Sequence, residues 1–146
     1  MADQTTSSIV IAADAPAIMQ VIADFPAYPF WAQGVAKAEV VKPGPKGGRA
    51  REVYFEIDAT PIRDSYSLVY DWHGDDSVTW TLGEGKMLKA IDGEYDLEPL
   101  GDGTTQVTYT LAVDLAIPMI GMLKRKAEKF IIDSALKGLK KRVESQ

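Results

Sequence analysis

Between residues 104 and 114 apolar and polar side chains alternate almost without a break. Val107, Tyr109, Leu111 and Val113 fall on one side of an extended chain, and Gln106, Thr108, Thr110 and Asp114 on the other. Successive strand side chains point to opposite faces, so this pattern commits the segment to a strand with one buried face. The same rule groups Tyr66, Leu68 and Tyr70, then Val78, Trp80 and Leu82, then Ile91, Tyr95 and Leu97. Pro/Gly clusters at Pro43–Gly48, Gly83–Gly85 and Gly101–Gly103 break the alternation at hairpin intervals. The spacing predicts strands over 7–11, 35–41, 50–57, 63–72, 77–82, 87–97 and 104–114. One-sided burial across hairpin-linked strands requires an antiparallel sheet covered on one face.

The cover is the last segment. Pro118 suits the start of a helix, and residues 119–144 contain no proline. Ile120, Leu123, Ala127, Phe130, Ile131, Ser134 and Gly138 share one broad helical face, which is expected to lie on the sheet with Leu123 and Phe130 against it. Ile132, Leu136, Leu139 and Val143 form a second stripe, expected to meet the short helices or a partner. Near the N-terminus, Asp14 reads as an N-cap with Pro16 in the first turn of a short helix. Phe25–Trp31 follows as a second short helix or apolar turn, interrupted by Pro26 and Pro29.

Strand, two short helices, six strands and a long C-terminal helix is the order of the helix-grip fold. The sequence resembles the START-like (SRPBCC) superfamily, which includes birch-pollen-allergen-type proteins and polyketide cyclase/dehydrases. The resemblance covers the whole chain, 1–146, as a single domain. It is carried by Val10–Pro16 entering the first helix, the Asp24-Phe25-Pro26-Ala27-Tyr28-Pro29-Phe30-Trp31 segment, and Trp80 before a Gly-rich turn. Gly93–Leu97, Gly103–Thr108 and Leu136–Lys140 complete it. It implies an α+β architecture: a seven-stranded antiparallel sheet curled around the long helix. It also implies a cavity between them for a lipid, polyketide, quinone or similar molecule.

Composition narrows the chemistry. The 146 residues include no cysteine and one histidine, His73. Disulfides, thiolate nucleophiles, zinc fingers and iron–sulfur clusters are excluded, and any Ser-His-Asp triad has to use His73. His73 precedes Gly74-Asp75-Asp76 and reads as a solvated turn residue, with Asp71 two residues away. Asp92, Glu94 and Asp96 have the parity of an outer face. No catalytic residue, metal or cofactor is assigned. The net charge of −5 argues against nucleic acid as a partner. Residues 119–146 nevertheless carry eight basic and three acidic side chains, net +5, leaving net −10 on the rest. Residues 1–8 are polar and no apolar run approaches the ~20 residues that span a bilayer, so a cytoplasmic protein is expected. The apolar stretch Leu115–Met122 adjoins Lys124, Arg125, Lys126 and Lys129, a pattern suited to transient membrane-surface contact.

The candidate ligand-binding residues follow from strand parity, the helical wheel and the resemblance. Trp31 matches the family tryptophan near the cavity. Phe55, Tyr66, Tyr70, Trp80, Tyr95 and Tyr109 point inward, and Leu123, Ala127, Phe130 and Ser134 line the opposite wall from the helix. Three functions stay open: a non-covalent carrier or sensor of a hydrophobic small molecule, a polyketide cyclase/aromatase, and a protein-interaction module. The enzyme needs inward polar groups; Arg51, Arg63, Ser65 and Ser67 are its candidates, and parity puts both serines outside.

Overall fold

Asp14 opens the first helix: its side chain accepts the Ala17 amide at 3.1 Å, and Pro16 sits in the first turn, where no intrahelical N–H is required. This start belongs to a computed structural model that describes residues 4–45, 48–59, 62–86, 88–115 and 121–146. The element order is β1 (Thr5–Ile11), α1 (Ala15–Ala23), a 3₁₀ turn (Phe25–Ala27), α2 (Tyr28–Trp31), β2 (Val35–Lys42), β3 (Glu52–Ala59) and β4 (Ile62–His73). It continues with β5 (Ser77–Gly85), β6 (Leu88–Pro99), β7 (Thr105–Leu115) and α3 (Gly121–Glu144). All strands expected from the sequence are present, most of them extended by one to three residues.

The strands form one antiparallel sheet in the order β1-β7-β6-β5-β4-β3-β2. The register sets Trp80 opposite Gly93, Tyr95 opposite Tyr109, and Phe55 opposite Tyr66. Val53, Leu68, Val78, Leu97, Val107 and Leu111 fill the covered face around these rings. Asp92 and Asp96 are exposed on the other face, as their parity requires. Ile18, Met19, Ile22 and Phe25 from α1 and the turn after it close one end of the core.

The long helix turns a different face to the core than the one expected. Leu123 is 53%, Phe130 63% and Ile131 45% exposed, and Ala127 is exposed as well. The buried stripe is Ile132, Leu136, Leu139 and Val143, whose spacing of four, three and four keeps one side of the helix inward. A fully buried Leu, Ile or Val contributes roughly 1.5–3 kcal/mol, whereas Ala127, Ser134 and Gly138 have almost nothing to bury. Ile132, Leu136, Leu139 and Val143 put a large side chain at every turn of the C-terminal half, where the expected face offers only Ser134 and Gly138, so they go inward. Gly138 matters for a different reason. A Cβ there would stand 3.0 Å from the Trp31 carbonyl oxygen, so its absence permits α2 to approach α3. The expected helix start at Met119, Ile120, and most of the apolar stretch from Leu115 lie outside the described residues.

Glu128 belongs to the same inward stripe and is 1% exposed. Its carboxylate accepts the Thr5 hydroxyl at 2.7 Å and the Val113 amide at 2.8 Å, beyond the point where β1 stops pairing with β7. Further along, Lys140 Nζ donates to the Val10 carbonyl (2.8 Å), and the Ala12 amide donates to Glu144 (2.9 Å). The helix thus occupies the edge of β1 with side chains, satisfying strand groups left unpaired by the sheet. The β2 edge carries Lys37, Glu39 and Lys42 instead. No helix among the described residues is long and apolar enough to cross a membrane.

Candidate functional site

The inward rings form a continuous network. Trp31 meets Tyr28 at 4.8 Å between centroids, Tyr28 meets Phe25 at 5.0 Å, and Phe25 meets Tyr70 at 4.9 Å. Tyr70 lies 5.7 Å from Trp80, which meets Tyr95 at 5.3 Å and Tyr109 at 5.5 Å. Phe55 joins Phe25, Tyr28 and Tyr66. Tilted and edge contacts at these distances stabilise aromatic pairs beyond their burial. Of the residues expected to line a cavity, Phe55, Tyr66, Tyr70, Trp80, Tyr95 and Tyr109 do share this inner wall. Trp31 closes one end of it.

Two positions in the network support the others. Trp80 lies flat across Gly93: a Cβ on Gly93 would fall 2.1 Å from the indole Cε2. Trp72 stacks on Tyr70 at 5.5 Å, donates from Nε1 to the Ala50 carbonyl at 2.7 Å, and carries the Arg49 guanidinium over its ring at 5.4 Å. Sequence reasoning does not place Phe25, Tyr28, Trp72 or Gly93 in the site. Gly93 does carry a signal, because an isolated glycine at inward parity within a strand marks a close approach.

The hydroxyls distinguish this wall from an ordinary core. Tyr28 donates to the Ile22 carbonyl at 2.5 Å. Among the described residues the hydroxyls of Tyr66, Tyr70, Tyr95 and Tyr109 have no protein hydrogen-bond partner. Trp31 Nε1 is the buried polar side-chain atom there that is both unpartnered and sealed off; the four phenol oxygens are not sealed in this way. Burial pushes the Tyr66 phenol up to about 12 and those of Tyr70, Tyr95 and Tyr109 well above their ordinary range. Nearby phenols add to the shift for Tyr70 and Tyr109, and the Tyr95 and Tyr109 rings stand 4.7 Å apart. They remain neutral donors at physiological pH. The arrangement offers several O–H groups to acceptor oxygens on an otherwise apolar molecule.

The helix residues proposed for the opposite wall separate from this network. Phe130 and Ser134 line an open groove of about 1090 Å³ along α3, together with Trp31, Gln33, Met122 and Gly138. Leu123 and Ala127 are solvent-facing and line neither the groove nor the ring network. They are displaced because α3 presents its other stripe to the core. Arg125, Lys126, Lys129, Lys137 and Lys141 rim the same groove.

His73 sits at the β4–β5 turn with its side chain 52% exposed, 3.5 Å from Asp71, and Gly74 beside it has φ +60. It has no contact with the ring network. Ser67 faces away from the rings and donates to Glu52 at 2.7 Å while accepting the Glu84 amide. The Arg63 side chain is 80% exposed beside Asp58, and Arg51 is exposed and reaches the Tyr70 carbonyl at 3.4 Å. None of these groups meets the phenols.

Residues 2–144 match the family model described as polyketide cyclase / dehydrase and lipid transport. A START superfamily protein from Mycobacterium smegmatis superposes with TM-score 0.90 at 20% identity, over 97% of each chain. The Zhui aromatase/cyclase from Streptomyces sp. R1128 gives 0.81 at 15% identity, over 99% of this chain and 94% of that one. Ara h 8.0201 gives 0.75 at 12% identity over the whole of both chains. At these identities the structures establish a shared helix-grip fold. No curated relative matches by sequence.

Proposed function

The chain belongs to the family of polyketide cyclases, dehydrases and lipid-transport domains, and from that premise we propose that it is a non-covalent carrier or sensor of a hydrophobic small molecule. The observation that carries this reading is the set of four unpartnered phenols on an apolar ring wall. These hydroxyls are not sealed off, so an acceptor on a ligand can reach them, and a few polar groups on an apolar wall are what fix a ligand's orientation. The ligand class that fits is a planar or polycyclic molecule with carbonyl or hydroxyl oxygens on an apolar frame, such as a quinone or polyketide. A lipid with an acceptor headgroup meets the same requirement. Such a molecule resides in bilayers, so transient contact with a membrane surface is part of the proposal.

A cyclase shares the donor half of this chemistry, since a phenol O–H polarises a ketone. It also needs a base at the reacting carbon. His73, the serines and the arginines considered for that role lie elsewhere, which favours binding over turnover.

The test uses a fluorescent apolar probe and a quinone competitor. The expected result is 1:1 probe binding displaced by the quinone. The Tyr95→Phe/Tyr109→Phe double variant keeps its affinity for a pure hydrocarbon. It loses roughly 5- to 160-fold toward the quinone, the worth of two hydrogen bonds at about 0.5–1.5 kcal/mol each. A protein that binds no apolar probe, or a double variant with unchanged quinone affinity, overturns the reading.

A further inference from the structure

Helix α3 has two opposite stripes. The inner one, Ile132 to Val143, is spent on the core. The outer one runs Leu123, Lys126, Phe130, Ser134, Lys137 and Lys141, at spacings of three or four that keep one side of a helix in line. Its apolar members, Leu123 and Phe130, lie in the N-terminal half, and its lysines run from Lys126 to Lys141. Phe130 and Met122 are each 63% exposed, and Phe30, on the neighbouring α2, is 82% exposed. Among the described residues Lys126, Lys137 and Lys141 form no ion pair, while Lys129 and Lys140 are held by Asp133 and Glu144. This face belongs to a segment of net +5 on a molecule whose remainder is net −10.

We infer that the outer stripe of α3 docks on an anionic lipid bilayer. The inference names the surface through which the proposed carrier meets its membrane; its purpose rests on that reading, but its chemistry does not. Three observations select this occupant. A second copy docking by the same face would set Lys126, Lys137 and Lys141 against their own counterparts, since a two-fold interface is self-complementary. A protein partner is disfavoured by lysine, which is depleted at the cores of protein interfaces. An exposed ring, Phe130, set between Lys126 and Lys137 is instead what an interfacial helix presents to headgroups and acyl chains. The charge asymmetry then orients the molecule: the helix is attracted and the acidic remainder repelled. The sequence pattern suggests such a contact around Leu115–Met122; the exposed stripe extends it to Lys141, near the end of the helix.

Binding is read by co-sedimentation with phosphatidylcholine vesicles, with and without phosphatidylserine. The expected result is binding to the anionic vesicles only, weakening as salt is raised. Lys126→Gln/Lys137→Gln/Lys141→Gln should weaken it on the order of 100-fold, from the typical contribution of each cation near such a surface. Phe130→Ser should weaken it as well. Both variants alter exposed positions, so circular dichroism should match the parent. Parent protein that ignores anionic vesicles at low salt overturns the inference, and so does binding that survives the triple variant. Equal retention by a soluble polyglutamate in place of vesicles overturns it in favour of an acidic protein partner. Probe binding without vesicle binding defeats this inference alone, and vesicle binding without probe binding defeats the carrier reading alone.

Discussion

Replacing Gly93 with alanine tests the packing that holds the ring wall together. The added Cβ would lie 2.1 Å from Trp80 Cε2 and 2.3 Å from both Cζ2 and Nε1, whereas ordinary contact begins near 3.4 Å. The indole therefore has to retreat by at least 1.3 Å. It has nowhere open to go: Tyr70, Tyr95 and Tyr109 stand 5.3–5.7 Å away, centroid to centroid, around a tryptophan that is itself buried. Overpacking a core by one methyl costs about 1–3 kcal/mol. Gly93 does not have a positive φ, so alanine also restricts the unfolded chain and returns about 0.4–1 kcal/mol. The net destabilisation is about 0–2.6 kcal/mol, or a fall in Tm of up to about 10 °C for a chain of this length. Urea titration followed by tryptophan fluorescence measures it, and near-ultraviolet dichroism should show the ring environment altered. Trp80→Phe removes the clashing atoms, so the double variant should recover at least 0.5 kcal/mol relative to additivity. A Gly93→Ala protein as stable as the parent, with its aromatic dichroism intact, would refute the packing argument.

Leu139→Ala should cost about 2–5 kcal/mol in chemical denaturation, while Leu123→Ala and Ala127→Phe change stability by less than about 0.5 kcal/mol; the reverse order would show that α3 buries its other stripe. Glu128→Ala leaves the Val113 amide and the Thr5 hydroxyl without their acceptor. It should destabilise by about 1–3 kcal/mol, with faster hydrogen exchange at Val113; normal exchange there would sink the assignment. The four raised phenols hold their protons more tightly folded than unfolded, so their contribution is intact below the ordinary value of 10.0 and is lost as pH climbs from there toward about 12 for Tyr66 and beyond for the others. Tyrosinate absorbance should therefore rise together with loss of structure, and ionisation of these residues near pH 10 in an intact fold would contradict the burial.

The strands are legible because each buries one face, and period-two alternation records that directly. Tyr95, Tyr109 and Trp80 are placed inward on parity alone, and they are there. The helix is harder, because both of its long sides carry large apolar residues. Counting members of a face favours the stripe containing Ala127, Ser134 and Gly138; the C-terminal half, where that stripe offers only Ser134 and Gly138 against Leu136, Leu139 and Val143, decides for the other. Glu128 conceals the answer further, since a carboxylate reads as solvent-facing. Only the unpaired Val113 amide, fifteen residues earlier in the chain, explains why it is inside. The rings of Phe25 and Tyr28 escape notice for a related reason: periodicity says nothing of where a proline-broken turn docks.

The placement of β1 has a consequence for how the protein is made. Strands β2 to β7 pair each with the next, so they can assemble in the order in which they leave the ribosome. The first strand cannot. Its partner β7 begins at Thr105, and the side chains that occupy its far edge, Lys140 and Glu144, come later still. At about 5–20 residues per second, residues 5–11 wait roughly 5–20 s after synthesis with no strand to pair with. The sparing distribution of apolar residues in Thr5-Thr6-Ser7-Ser8, ahead of Ile9, suits a segment that must stay uncommitted in water until the last helix arrives.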